Sequence, residues 1–576
     1  MKKTARILVV LVLMLALAMY ATSASALTSV YGFSKLSDYL TLPGMTAFED
    51  TVTLKVVGVD DRPDSNLTPD TFDRSNSMMN DILKERYNIA LDWMWIAPAD
   101  QYNQKLTLSF ASGDYPDILM CDAVTYKELR DADMLVDLSG VWDLVVDDFK
   151  VGFEENNLYE QMFEEDGSLY FFPNAYVNNT TGLMVDYRSD WLEALGYDTF
   201  PSTLEELKQY CIDIATKDPD GNGQNDTYGL RGMQNPFDNY GLGGIFWAHG
   251  SYPNKWIEKD GEIVSGTIQP ETLEALEYLA ELYAAGAIDP EYATLTFEQV
   301  KERSAAGQYG VLIQDQWSQW ESVRINMNNT PTAMWGRTAV PGKVANTPIN
   351  QCYNEKIISD YCVVLKTAED QQLAAEAMVR IYNNSILEFI YGIDNTGFDE
   401  FLDNETARKN GYYHYWSPVY SDPMTLQWDL YSDCAKTWET GDPQYAARQN
   451  RLVEYEWALA WENASAEERV NWTNTEYPER GTAYVQWDGF SDTGRSAFLL
   501  NVFEEGSYIY NVDYGDTTET MSKVGSTLSD YVYEYFNAFI MGQKDASSWE
   551  EFVEQWKEIG GATITEEVNA GYQAIH

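Results

Sequence analysis

Residues 52–59 read VTLKVVGV, and four further segments follow: SNSMMNDILKERY at 75–87, IALDWMWI at 89–96, QYNQKLTLSFAS at 101–112 and DILM at 117–120. The first, third and fifth segments are rich in branched and aromatic residues, which is typical of buried strands. The second and fourth have helical spacing, and Gly113 ends the fourth. Strands and helices that alternate at this spacing predict βαβ units on a parallel sheet.

A second alternating region begins near Leu183 and predicts a second α/β domain. Its first helix is expected to open with a Ser202-x-x-Glu205 capping box. Residues 400–520 are dense in Trp, Tyr, Asn and Gly without a clean period, so we expect loops and short elements there. The helix with this capping box is predicted at Thr203–Thr216, and apolar spacing and end signals predict two more long helices at Glu271–Ala285 (followed by Gly286) and Ala368–Asn383.

Composition restricts the partners of this 576-residue chain. It has 38 Lys and Arg against 91 Asp and Glu, a net charge of −53. Such a charge repels nucleic-acid phosphates and anionic lipids, so neither is an expected partner. The 18 Trp, 40 Tyr and 22 Phe residues are more than the core needs, and some are expected to line a binding surface.

The first 26 residues have the pattern of a secretory signal peptide. Lys2, Lys3 and Arg6 precede an apolar run at 7–19, and Ala24-Ser25-Ala26 is a small-x-small cleavage site. Thirteen apolar residues are too few to span a bilayer, which needs about 20. Removal of 1–26, with three basic residues and no acidic one, gives a mature chain at −56. No Cys follows the apolar run, so a secreted protein without a lipobox cysteine is expected.

The five cysteines show no metal-ligand spacing. They are odd in number, and buried free thiols are the default expectation. A small disulfide loop between two of them, Cys352 and Cys362, is the alternative. The five are Cys121, Cys211, Cys352, Cys362 and Cys434.

Several separated motifs resemble those of family 1 extracellular solute-binding proteins, the substrate receptors of ABC importers for carbohydrates. They cover most of 50–340 and the last thirty residues. They are LSFASGDYPDI at 108–118, YRSDWLEALG at 187–196, DPDGNGQNDTYGL at 218–230, GAIDPE at 286–291 and GGATITEEVN at 560–569.

This resemblance implies a two-lobed α/β fold of the type II periplasmic-binding-protein kind, with hinge-connected lobes and a ligand cleft between them. Lobe one would comprise 50–170 plus 340–385, and lobe two 171–339 plus 386–576. It also implies a monomer that delivers an oligosaccharide to ABC permease subunits at the cell surface.

A calcium-binding loop is indicated at Asp218–Gly229. Its oxygen donors match positions 1, 3, 5, 7 and 9 of an EF-hand loop, with Gly223 at the sharp turn. Position 12 is Gly229 instead of Glu, so Thr227, another segment or water would complete the shell. Similar solute-binding proteins carry a structural calcium here, and a plain polar turn is the alternative. The matching donors are Asp218, Asp220, Asn222, the Gln224 carbonyl and Asp226.

Candidate ligand-binding residues come from three arguments. Ligands of open α/β sheets bind beyond the carboxyl ends of strands, which nominates Asp60, Asp61, Arg62 and Asp122. The resemblance places Tyr176 and Arg188 near the first crossing between lobes. The aromatic candidates, expected in Gly-rich or polar loops, are Trp247, Trp317, Trp320 and Trp416.

No catalytic motif accompanies these residues. The sequence lacks G-x-S-x-G, H-E-x-x-H, a phosphate-binding G-x-x-x-x-G-K and a helix-opening G-x-G-x-x-G. A binding protein that is not an enzyme is therefore expected. The alternatives are a secreted glycoside hydrolase, which needs only two carboxylates, and a receptor for a peptide or charged solute, since Arg62 and Arg188 would suit an anionic sugar.

Overall fold

The computed structural model describes residues 36–60, 74–155, 158–164, 166–175, 182–354, 358–391, 417–420, 426–443, 446, 452–472, 478–505, 508–515 and 517–575. The chain folds into two compact units. Unit 1 comprises 1–177, 357–433 and 443–452, and unit 2 comprises 178–356, 434–442 and 453–576. Each unit is therefore built from separate stretches of the chain.

The strands of the described residues are, in chain order, β1 Val52–Asp60, β2 Ile89–Pro98, β3 Ile118–Cys121, β4 Phe172–Ala175, β5 Leu183–Arg188, β6 Tyr228–Leu230, β7 Trp256–Lys259, β8 Glu262–Ser265, β9 Tyr309–Asp315, β10 Trp335–Thr338, β11 Gln351–Asn354, β12 Ile358–Val364 and β13 Tyr508–Asn511. The helices are α1 Leu36–Tyr39, α2 Met78–Tyr87, α3 Ala99–Ser112, α4 Ala123–Asp131, α5 Asp147–Glu155, α6 Leu158–Met162, α7 Ser189–Ala194, α8 Leu204–Thr216, α9 Gly243–His249, α10 Pro270–Ala284, α11 Phe297–Ala305, α12 Val323–Asn329, α13 Gln371–Tyr391, α14 Leu426–Thr440, α15 Leu452–Asn463, α16 Ala466–Val470, α17 Arg480–Phe490, α18 Arg495–Glu505, α19 Glu519–Ile540, α20 Trp549–Trp556 and α21 Ala562–Ile575.

Unit 1 packs its helices against two small sheets. β1 and β2 pair in parallel, with an irregularity between Val56 and Val57. β12 lies between β3 and β4 and is antiparallel to both. The long helix α13 supplies Ala377, Met378 and Ile381 to the core beneath them, all fully buried.

Unit 2 has a four-stranded sheet in the order β10-β5-β9-β6. β6 and β9 are parallel, and the other neighbours are antiparallel. A buried ionic network crosses this sheet: Arg337 donates to Asp186 at 2.8 Å and to Gln319 at 2.7 Å, and it also pairs with Asp488. Gln314 donates to the second carboxylate oxygen of Asp186 at 2.7 Å.

The predicted parallel sheet is confirmed only in part. β1/β2 and β6/β9 are parallel, but β12 and β5 run against their neighbours. Both strands follow directly after the chain passes from one unit to the other. Local periodicity does not record this reversal.

Two other expectations differ from the structure. The capping box of α8 is Thr203 with Glu206, one residue later than predicted, because the helix begins at Leu204. The described part of 400–520 is mainly helical rather than loop-like. In α17 nearly every side chain is buried, so the sequence shows no polar face and no amphipathic period.

Two end signals are confirmed. α3 ends at Gly113 and α10 is followed by Gly286, with φ of 80° and 76°. Only glycine adopts this left-handed conformation without a steric cost.

All five cysteines are buried and free, so the Cys352–Cys362 disulfide is not formed.

Candidate functional site

A cavity of about 440 Å³ lies in unit 1 at the carboxyl ends of β1 and β3. This is the edge at which ligands bind in open α/β sheets. Its lining mixes aromatic, apolar and charged side chains, as sites for small molecules do. The lining residues are Val57, Val59, Arg74, Tyr102, Asn103, Met120, Cys121, Asp122, Asp360, Pro418 and Tyr420.

Two carboxylates meet in this cavity because of strand register. β12 pairs Tyr361 with Cys121 of β3, which brings the preceding Asp360 beside Asp122. Asn174 of β4 donates to Asp360 at 3.1 Å. Burial raises the pKa of Asp360, and the negative charge of Asp122 raises it further. The pair offers several acceptor oxygens to hydroxyl groups.

The two aspartates are held differently. Asp122 caps the amino terminus of α4, where its carboxylate accepts from the Thr125 amide at 2.8 Å. The cap fixes one oxygen of this carboxylate. Asp360 lies inside a strand and is oriented by its neighbour Asn174.

Aromatic and cationic side chains complete the cavity. Tyr102 lies 5.4 Å from Trp95 between ring centroids, and burial raises its pKa. The guanidinium of Arg74 lies 5.9 Å from the Trp93 ring centroid. The cavity therefore combines acceptors, a donor and apolar ring faces.

A second polar edge lies in unit 2, where β9 ends at Asp315. Asn239 donates to both oxygens of this carboxylate at 3.3 Å. Desolvation raises the pKa of Asp315 to about 6. Two residues further on, Trp317 has 40% of its surface exposed, which is high for a tryptophan. The edge thus presents an indole beside a hydrogen-bonding carboxylate.

The predicted ligand residues are distributed over both units. Asp122 lines the unit 1 cavity and Trp317 is exposed in unit 2. Trp320 is half-buried, with the Arg324 guanidinium 5.8 Å from its ring centroid. Asp60 is the last residue of β1. Asp61, Arg62, Tyr176 and Trp416 lie outside the described residues.

The side chains of two candidate ligand-binding residues are buried in contacts within the protein. Arg188 is buried, donates to Asp190 at 2.8 Å and lies 4.2 Å from the Trp191 ring centroid. Trp247 is buried on helix α9, in the apolar core of unit 2, rather than in a loop. Whether any of these residues contacts a ligand stays a prediction.

Sequence reasoning missed Arg74, Tyr102 and Asp360. Asp360 follows Asp122 by more than 200 residues, and only the antiparallel placement of β12 joins them. A usable signal was the apolar run YCVV at 361–364 directly after an aspartate, which is typical of a buried strand with a polar end.

The candidate calcium loop folds tightly on itself. Gly223 N–H donates to Asp218 at 3.0 Å, and the Asn222 amide donates to Asp220 at 2.8 Å and to Asp226 at 3.1 Å. Burial raises the pKa of Asp220, and nearby Asp226 and Asp218 contribute to this rise. The Thr227 hydroxyl donates to the Ile214 carbonyl at 3.0 Å.

One atom of this loop bears on metal binding. Oδ1 of Asp218 is buried without a hydrogen-bond partner. An oxygen set of this kind suits a hard cation. Within the described ranges, however, no cluster of three or more His, Cys, Asp or Glu side chains is already arranged as a set of metal ligands.

Comparison with known proteins identifies the family. The family profile described as "Bacterial extracellular solute-binding protein" matches residues 73–383. The chain belongs to this family.

The described residues form no helix that is long and apolar enough to cross a membrane.

Relatives of this solute-binding protein include two from Bacillus subtilis (strain 168). The polygalacturonan/rhamnogalacturonan-binding protein YtcQ is 21% identical over 498 residues, which cover 84% of this chain and 86% of YtcQ. The lipoprotein LipO is 23% identical over 228 residues, 38% of this chain and 43% of LipO.

Solved structures of similar fold are also solute-binding proteins. The ABC-transporter substrate-binding protein FusA of S. pneumoniae, in complex with kestose, has a TM-score of 0.61 at 16% identity, covering 91% of this chain and 99% of FusA. The alginate-binding protein AlgQ2, solved without calcium ion, has a TM-score of 0.59 at 16% identity, covering 92% and 99%. These likenesses confirm the two-lobed α/β fold class.

Proposed function

We propose that this protein is an extracellular substrate-binding protein that captures an oligosaccharide between its two lobes and delivers it to the permease subunits of an ABC transporter. The observation that carries the proposal is the unit 1 cavity, where Asp122 and Asp360 stand among aromatic side chains at the carboxyl edge of the strands. Membership of the solute-binding family, and relatives whose names specify saccharides, support it.

The chemistry of the cavity suits a sugar. A pyranose has apolar C–H faces and a rim of hydroxyl groups. Carboxylates accept hydrogen bonds from the hydroxyls, Arg74 donates to ring or hydroxyl oxygens, and Tyr102 provides an apolar surface. A volume of about 440 Å³ lies within the range of sites for small ligands.

Delivery follows from differential binding. A ligand that contacts both lobes stabilises the closed state, and a permease that binds the closed state better distinguishes loaded from empty protein. In this proposal the protein acts as a monomer. Neither role requires covalent chemistry, so the protein is proposed not to be an enzyme.

Calorimetric titration with a panel of neutral and acidic oligosaccharides tests the proposal. Asp360→Asn is expected to weaken binding by roughly 10-fold or more, because a charge-assisted hydrogen bond is lost. Asp131→Asn, at an exposed position on α4, is the matched control and should leave affinity unchanged. Equal affinities of wild type and Asp360→Asn for the oligosaccharide would show that the sugar does not bind at this cavity. Shortened oligosaccharides after incubation would favour the alternative of a glycoside hydrolase.

We also propose that Asp218, Asp220, Asn222, Gln224, Asp226 and Thr227 hold a structural calcium ion. The orphaned, buried Asp218 oxygen and the crowding of three carboxylates in one turn support this fit. A bound cation would neutralise the loop and fix its course. Residues 1–26 are proposed to direct export and to be removed before Leu27.

A further inference from the structure

Arg231 stands at the carboxyl end of β6 with no exposed surface. Its backbone N–H donates to the Val311 carbonyl at 3.3 Å and so continues the pairing of β6 with β9. None of its three guanidinium nitrogens has a hydrogen-bond partner. A buried charge without a partner is costly, and native proteins pair such groups almost without exception.

The contrast with another buried arginine shows that this is specific to Arg231. Arg480 is equally buried, but its guanidinium donates to the carbonyls of Arg469, Met327 and Ala333 at 2.7, 3.1 and 2.8 Å. The fold of unit 2 therefore satisfies one buried guanidinium fully and leaves the other with all its donors free.

Among the described residues, no carboxylate accepts a hydrogen bond from Arg231. The Tyr240 ring covers one face, with its centroid 3.5 Å from the guanidinium carbon. The nearest carboxylates that influence it are Asp186 and Asp238. Asp186 is already bound by Arg337 and Gln314. Burial lowers the pKa of Arg231, as expected for a cation whose charge is poorly compensated.

A column of aromatic rings leads from the surface to this cation. Trp317, 40% exposed, lies nearly parallel to Tyr240, with ring centroids 6.4 Å apart and an interplanar angle of 17°. Tyr240 in turn covers Arg231. The outer end of the column lies two residues after Asp315, at the carboxyl edge of β9. The Tyr240 ring therefore separates a sugar stacked on Trp317 from the free guanidinium of Arg231.

We propose that Arg231 receives an acidic substituent of the ligand, either the carboxylate of a uronic acid or the ester sulfate of a sulfated sugar. This inference rests on the proposed function and assigns its substrate class as acidic oligosaccharides. The planar guanidinium offers two parallel N–H donors that match the two oxygens of such a group. Tyr240 lies on a turn segment rather than in a helix or strand, and rotation of its side chain would open the guanidinium edge to the anion.

Binding of an acidic sugar would offset the free-energy cost of burying the unpaired Arg231 guanidinium. In a chain at −53, an acidic sugar meets long-range repulsion, and a buried arginine without a protein partner supplies the local attraction that retains it. If an internal carboxylate neutralised Arg231, that attraction would be lost. A guanidinium without a hydrogen-bond partner is thus expected in an anion receptor that has not yet bound its ligand.

Calorimetry with three probes tests the proposal: trigalacturonate, its methyl ester as a neutral sugar of the same length, and a sulfated chondroitin disaccharide. Wild type should bind at least one acidic probe. Arg231→Met should weaken that binding roughly 10- to 100-fold, the loss expected for a charge-assisted bidentate pair. Arg231→Lys, which keeps the charge but not the fork, should bind with intermediate affinity. Preference for trigalacturonate or for the sulfated probe identifies the group.

Thermal unfolding separates this role from a structural one. Arg231→Met should unfold at the same or a higher temperature than wild type, because it removes an unpaired buried charge. Arg480→Met, the matched control, should unfold at a lower temperature because three carbonyls lose their donor. A fall in the unfolding temperature of Arg231→Met equal to that of Arg480→Met would overturn the inference. Neutral oligosaccharides that bind while both acidic probes fail would overturn it and leave the proposed function standing; failure of the whole panel would overturn both.

Discussion

Chelation of calcium is expected to lower the unfolding temperature of unit 2 by about 4 °C. A ligand that binds only the folded state adds RT ln(1 + [Ca²⁺]/Kd), or about 2.7 kcal/mol at a hundredfold excess over Kd. The missing Glu at the twelfth loop position favours weak binding, with Kd on the order of 10⁻⁴ M, so about 10 mM calcium provides that excess. Unit 2 has roughly 300 residues, and at about 2.1 cal/mol/K per residue its unfolding entropy is about 0.6 kcal/mol/K.

The assay is differential scanning calorimetry in about 10 mM calcium and in excess chelator, which resolves the transitions of the two units. Asp218→Ala should abolish the difference, because its buried Oδ1 has no other partner. Asp198→Asn, an exposed aspartate of the same unit, should retain it. Affinity for oligosaccharide should be the same in both conditions. Identical unfolding temperatures with calcium and with chelator would refute the metal site and leave a polar turn.

Three further expectations concern pH, stability and ligand closure. The pKa of Asp315 is raised to about 6 in the folded state, so its contribution to stability is complete below pH 4 and is lost as the pH rises through 6. The unfolding temperature of Asp315→Asn should therefore rise relative to that of wild type between pH 4 and pH 7.5. A difference that stays constant over this pH range would contradict the raised pKa of a buried carboxylate. Asp186→Ala should destabilise unit 2 by about 3 to 5 kcal/mol in denaturant titrations, since Arg337 loses a buried partner, whereas no loss would show that Asp488 alone suffices. Saturation with the ligand should quench or enhance tryptophan fluorescence and reduce the radius of gyration in small-angle scattering, and tight binding without contraction would count against lobe closure.

The sequence predicts local structure well where one element records its own environment. α3 and α10 have an apolar face and a terminal glycine, and both end where those signals stand. α17 is surrounded by protein, so its sequence shows no contrast between faces and its helix was missed. The burial of a helix on all sides removes the very pattern by which it is predicted.

Residues of the candidate site were predictable where their position depends on nearby sequence, and were missed where it depends on pairing between distant segments. Asp122 follows its strand directly, and the general rule for strand ends places it in the cavity. Asp360 reaches the same cavity through a pairing between strands more than 200 residues apart. Arg231 directly follows a strand of only three residues, and nothing in the local sequence indicates that its guanidinium lacks a partner.

The position of β12 has a consequence for the order in which the protein matures. β3 and β4 are not neighbours, because β12 fills the space between them and pairs with both. During synthesis, the first 175 residues therefore emerge before the strand that joins β3 and β4 into one sheet. The same holds at the other end, where Asn569 exchanges hydrogen bonds with the backbone of Ile263. Neither unit completes its fold until distant residues are available, so the native state forms after synthesis of nearly the whole chain rather than during it.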